Sequence, residues 1–403
     1  MLQKVVPHFL ARCPVCRERY EEIQLLLLES GHWDEEVALH EGTQAPELFH
    51  RLTRHSLDEQ VRLIEEDEEL HTWGLCQLLL QTSLVTIRDE PAKSLDLAEA
   101  AVRVSRHLGD AYDRNWVLDL RARAYAYLGN ARRVLGELKS AEAAFRKAEG
   151  YLQRSTSGNL RIEAEVLDLR SSLRRDQRLF DEGVRLADRA LDLYRQCNDL
   201  HGTGKMLLKR AKILEDAGDH DRAIALLREA PTEIDHESEP QLFACARYNL
   251  LGTFSLAGRY EEADRLLPEV RDLFKSTAQP LDLVRLRWAE GSIDLGLGRI
   301  EHAEAAFREV QQEFLRQEMA YNAALVSLDL AALYAQEGRT GDLKLIAAEL
   351  VPVFESRDIH REALAAFLLF RQACEEERLT AEMARRLATL LDKKGWRAGV
   401  GTE

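Results

Sequence analysis

Along residues 70–378, apolar positions recur at the three- and four-residue steps of an amphipathic helix, in blocks of about 18–20 residues. Short turns rich in glycine and charge break the blocks. Four of these turns align: AGDHDRA (Ala217–Ala223), AGRYEEA (Ala257–Ala263), LGRIEHA (Leu297–Ala303) and EGRTGDL (Glu337–Leu343). Their glycines, Gly218, Gly258, Gly298 and Gly338, advance by 40 at each step. Upstream, RLFDEG after Arg178 and LGELKSA around Gly136 extend the register by steps of 40 and 42. Each unit is expected to be helix, tight turn, helix, because glycine accepts the left-handed conformation that ends a helix.

Fixed offsets from the turn carry fixed sizes. Five residues after it stand Ala141, Gly183, Ala223, Ala263 and Ala303; twelve after it, Ala148, Ala190, Ala230, Val270 and Val310. Nine after it comes a large apolar residue, Phe145, Leu227, Leu267 or Phe307, and seven before it a small one, Gly129, Ala211, Gly291 or Ala331. Small residues let two helices approach; the large one fills the space between them. This pattern resembles the tetratricopeptide repeat, though its period of forty is longer than the usual unit of about 34 residues. The resemblance implies an all-α fold, a right-handed superhelical solenoid preceded by a small helical module.

The array extends at both ends. His71–Ile87 and Pro91–Leu108 read as a further helix pair, with Pro91 at a helix start. His360–Glu376 reads as another helix, and Thr380–Lys394 as a capping helix with Thr380 at its N-cap. The expected organisation is an N-terminal module over 1–69, repeats over 70–378, and a cap and tail over 379–403. Within the module, Gly31–Pro46, with two glycines and a proline, reads as a linker or loop between helical stretches.

The N-terminal stretch HFLARCPVC places His8, Cys13 and Cys16 within nine residues. Thiolates and an imidazole at such spacing suit tetrahedral zinc. The segment resembles the zinc-binding motif of bacterial anti-sigma factors, which implies His8, Cys13 and Cys16 as ligands. The spacing is one residue longer than the family's, and His32 or His40 would supply a fourth ligand. Two readings stand: zinc stapling a small docking module, or a reduced cysteine pair at a helix end.

Charge narrows the function. The chain carries 55 Lys and Arg against 70 Asp and Glu, a net of −15. The dense basic footprint that holds a phosphate backbone is missing, so no direct nucleic-acid binding is expected. Part of the excess lies in Glu65–Glu69, either a solvated helix face or a surface for a basic partner. The other four cysteines are scattered singly, which fits a reducing, cytoplasmic compartment. No apolar run approaches the roughly 20 residues that span a bilayer, and no membrane partner is expected. Nucleotide-binding and hydrolase motifs are absent, so no enzymatic activity and no required cofactor are expected.

The repeat resemblance implies that the first helix of each unit lines a concave groove, at the thirteenth, tenth, sixth, third and second positions before the turn. These include Arg123, Asn130 and Arg133, then Lys205 and Lys212, then Tyr248, then Arg285, Trp288 and Ser292. Tyr248 and Trp288 are either partner anchors or packing between neighbouring units. The expected function is a scaffold that binds another protein or a peptide, as an adaptor or regulator in bacterial signalling or transcription control. The alternatives are an assembly scaffold for an effector enzyme and a peptide sensor.

Overall fold

A computed structural model describes residues 35–391, apart from 88–89, 235, 238, 356–360, 377 and 378. His8, Cys13 and Cys16 lie outside the described residues. The described residues hold eighteen α-helices and no strand, and the chain divides into two compact units, residues 1–199 and 200–403.

In the first unit α1 is Glu35–Thr53, α2 Leu57–Glu66, α3 Trp73–Thr86, α4 Pro91–His107, α5 Arg114–Val134, α6 Leu138–Leu152, α7 Leu160–Asp176 and α8 Phe180–Gln196. Helices α3/α4, α5/α6 and α7/α8 are the hairpins of three repeats; α4 packs on α5, and α6 on α7. The stretch 35–46, expected as part of a linker, is instead helical, with Pro46 inside α1. Tertiary packing overrides the local breakers here. Ala45, Phe49 and Leu52 are buried. The Glu41 carboxylate accepts the Gly74 N–H at 3.1 Å and the Tyr112 hydroxyl at 2.7 Å. A Cβ on Gly74 would stand 2.6 Å from the Glu41 carbonyl oxygen, so α1 and α3 touch backbone to backbone.

The second unit continues the pairing: α9 Leu200–Asp216 with α10 His220–Glu229, α11 Pro240–Leu256 with α12 Tyr260–Thr277, α13 Pro280–Gly296 with α14 Ile300–Arg316, and α15 Ala320–Gln336 with α16 Thr340–Glu355. Helices α17, Arg361–Glu375, and α18, Ala381–Leu391, close the described chain. The Thr380 hydroxyl accepts the Met383 N–H at 3.3 Å, which makes Thr380 the N-cap of α18.

The turns obey one rule. Positive φ occurs at Gly136, Gly158, Arg178, Asn198, Gly218, Gly258, Gly298, Glu318 and Gly338, mostly at steps of 20 or 40. The N–H after each intra-hairpin turn residue reaches the carbonyl five positions back, as Glu137 to Arg132, Leu179 to Arg174 and Arg299 to Asp294, at 2.8–2.9 Å. That 6→1 bond satisfies a terminal carbonyl and folds the chain back. Arg178 fills a glycine slot, which explains why the repeat survives there without one.

Size complementarity holds the hairpins together. A Cβ on Gly129 would lie 2.8 Å from the Phe145 ring, and one on Gly291 2.8 Å from the Phe307 ring. Both phenylalanines are fully buried. Where the second helix offers Leu227 instead, the residue at the matching offset is Ala211. Neighbouring pairs in the second unit are also tied by arginines just after the turn. Arg259 reaches Asp221 at 3.5 Å, Arg299 Asp264 at 2.7 Å, and Arg339 Glu304 at 2.6 Å.

Candidate functional site

The inner positions of successive first helices meet in rows. In the first unit Arg123 on α5 sits between two neighbours. Its Nη1 donates to the Gln77 side chain on α3 at 2.7 Å, and its Nε to Glu165 on α7 at 2.7 Å. The Tyr127 hydroxyl also donates to Glu165, and the Arg123 guanidinium lies 5.5 Å from the Tyr127 ring centre. Burial works against the charge on Arg123, and the facing Glu165 carboxylate overrides it. Burial pushes the Tyr127 hydroxyl up, so it stays a donor. Further along α5, Arg133 donates to Asp176 of α7 at 2.6 Å and to Asn130 beside it at 3.0 Å. Three first helices are thereby laced across one face.

In the second unit Lys212 pairs with Glu215 and, at 3.0 Å, with Asp216. Glu215 in turn accepts the Thr253 hydroxyl of α11 at 2.9 Å. Tyr248 of α11 donates to the backbone carbonyl of Arg285 on α13 at 3.3 Å, and its ring stacks on Phe274 at 5.4 Å. Arg285 is buried and donates to Asp282 at 3.2 Å. The Trp288 indole N–H reaches Asp329 on α15 at 2.7 Å, while its ring meets Phe314 edge-on at 5.9 Å. The Ser292 hydroxyl is turned back to the Trp288 carbonyl at 3.2 Å.

The structure therefore sorts the expected groove residues. Tyr248 and Trp288 are 2% and 3% exposed; each ring packs on a phenylalanine of the second helix of its own hairpin, and its polar end reaches the first helix of the next repeat. Asn130, Arg133 and Arg285 are buried in hydrogen-bonded positions. Arg123, Lys205, Lys212 and Ser292 are half-buried. Gln77, Tyr127, Asp176, Thr253 and Asp329 complete the rows. Gln77 belongs to a pair without the glycine turn, and Tyr127 stands one position from the inner offsets, so neither carried the repeat signal. Among the described residues no group of three or more His, Cys, Asp or Glu is placed to hold a metal ion, and no helix is long and apolar enough to cross a membrane.

The chain is thus an all-helical, tetratricopeptide-like repeat protein. Two solved structures share the fold. RapI in its apo form is 18% identical, with 66% of this chain and 98% of that one covered at a TM-score of 0.52. Aspartyl phosphate phosphatase F from Bacillus subtilis is 16% identical, with 90% and 96% covered at a TM-score of 0.52. No protein-family model and no curated protein matches the chain.

Proposed function

We propose that this protein is a non-enzymatic scaffold that captures a protein or peptide segment on the laced face of its first helices, as a regulator in bacterial signalling or transcription control. One observation carries the reading: neighbouring first helices are locked to each other by side chains on that face, Gln77–Arg123–Glu165 in one unit and Glu215–Thr253 in the other. A surface fixed before its ligand arrives loses little freedom on binding. Each unit carries its own such face: the half-buried Arg123 stands on that of the first, and the half-buried Lys205, Lys212 and Ser292 on that of the second. A repeat scaffold offers one such strip per repeat to an extended or helical segment.

The test is direct. A partner obtained by copurification from the source organism is titrated against the purified chain and its Ser292→Arg and Lys205→Glu variants. The scaffold reading expects at least a tenfold loss of affinity with unchanged helicity and melting. Unchanged affinity in both variants removes the surface from the proposal. Turnover of acetyl phosphate by the purified chain would replace the non-enzymatic reading. Zinc in the purified full chain, lost in Cys13→Ser, would support a stapled docking module at His8, Cys13 and Cys16.

A further inference from the structure

The inner positions change character at the end of the second unit. Thirteen, ten and six residues before the turn stand Lys205, Leu208 and Lys212 in α9, Cys245, Tyr248 and Gly252 in α11, and Arg285, Trp288 and Ser292 in α13. The outermost of these, Lys205, Lys212, Cys245, Gly252 and Ser292, keep a half-buried surface. In α15 the same three positions are Leu325, Leu328 and Ala332, at 0%, 0% and 1% exposure. Water does not reach them, and polar residues are replaced by leucine and alanine.

Besides its neighbours in the array, α15 packs on α18. Ala384, Leu387 and Ala388 of α18 are buried in one apolar cluster with Leu325, Leu328 and Ala332. The opposite side of α18 exposes Glu382, Met383, Arg385 and Arg386. A narrow stripe of small, large and small residues therefore seats a helix on the inner face. Among the described side chains the stripe is slight. Helix α14 buries Phe307, Phe314 and Val310 besides two alanines, whereas α18 buries one leucine and two alanines among its described side chains. Elements with few buried apolar contacts open locally before the body they rest on.

We propose that α18 is a resident ligand of the inner face, holding the seat on α15 where an amphipathic partner helix with the same small–x–x–Leu–small spacing docks in its place. The proposal rests on the binding surface proposed above and extends it by one repeat when α18 leaves. It also names the partner's chemistry: a helix with a narrow alanine and leucine stripe and a charged back.

Hydrogen exchange on the unmodified full chain reads the first half. The α18 amides should exchange at least 100-fold faster than those of α15, through an opening that leaves α15 protected. Equal rates for both helices would mean that α18 leaves only when the unit unfolds, and would overturn the proposal. The second half uses the full-chain Leu387→Glu variant and a fluorescent peptide of the sequence Thr380–Leu391. The variant should retain its helicity apart from α18 and bind the peptide at least tenfold tighter than the unmodified chain. Leu328→Glu added to it should abolish that binding, and a Leu387→Glu peptide should not bind. Cooperative unfolding of the variant, or binding no tighter than the unmodified chain, sinks the idea. Failure of the scaffold reading is separable, because both readouts use only the chain and its own Thr380–Leu391 peptide, whereas the scaffold reading falls on the affinity of a separate partner.

Discussion

Asp119, on α5, is 3% exposed and accepts the Ser157 hydroxyl at 2.6 Å. Burial raises its carboxyl above the ordinary aspartate range, and the serine bonds only partly offset this. The folded pKa is raised, so the stability this group contributes is present below its unfolded pKa and is lost as pH rises through the folded one. Asp119→Asn should therefore raise the melting temperature at pH 7, with the gain vanishing near pH 4. A gain that persisted at pH 4 would contradict this origin. Glu304 behaves in the opposite sense. Hydrogen bonds from Arg339, and then from Tyr334 and Arg308, hold it down to about 2. Its contribution is present above the unfolded glutamate pKa and fades as pH falls from there toward 2. Glu304→Gln should flatten that part of the acid melting profile. A third single-residue effect lies in the backbone. Glu318 holds φ at 59° in a slot of the kind that glycine usually fills. Glu318→Gly should stabilise by about 0.5–1 kcal/mol in urea unfolding, because the left-handed conformation penalises a side chain.

At the scale of the helix, the informative quantity is the match between facing residues. Alanine is normally the better helix former than glycine by about 1 kcal/mol. At position 291 the order should reverse. The new methyl would sit 2.8 Å from the Phe307 ring, and overpacking of this kind costs about 1–3 kcal/mol. Gly291→Ala should therefore destabilise, and Phe307→Leu in the same chain should recover much of the loss. A double-mutant cycle with no coupling would refute the match. These pairs were legible in the sequence, since glycine stands seven residues before the turn where phenylalanine stands nine after it. Other features were not. Helical periodicity puts Tyr248 and Trp288 on the inner arc, but cannot say whether a ring on that arc leans out or back onto the second helix of its own hairpin with its polar end tied to the next repeat. Only the distances to Arg285, Phe274, Asp329 and Phe314 decide that. Likewise, Gly42 and Pro46 signal a break, while the packing of α1 on α3 keeps a helix there.

For the molecule as a whole, the repeat architecture was legible because one spacing recurs many times and errors at single positions average out. The side-chain rows that lock repeats together were less so, because each partner stands a whole repeat away in a chain crowded with charge. Arg123 and Glu165 illustrate the energetics. Arg123→Ala would leave the half-buried Glu165 carboxylate with its cation removed, at a cost of about 1–3 kcal/mol. Replacing both by apolar residues of similar volume, Arg123→Met with Glu165→Leu, should restore most of the stability. Denaturant melts of the single and double variants distinguish a locking pair from a passive one.

The turn spacing has a further consequence, for synthesis. The bonds that lace repeats join partners roughly one repeat apart in sequence, as Tyr248 to Arg285 and Gln77 to Arg123. Each repeat can thus be completed once the next repeat's first helix has left the ribosome, so the chain sets progressively from its N-terminal end. An exception is α15. Its inner leucines wait for Ala384 and Leu387, more than a full repeat further on. Until α18 has been made, the inner face of α15 is bare, and that interval is when a chaperone or a partner helix would find it open.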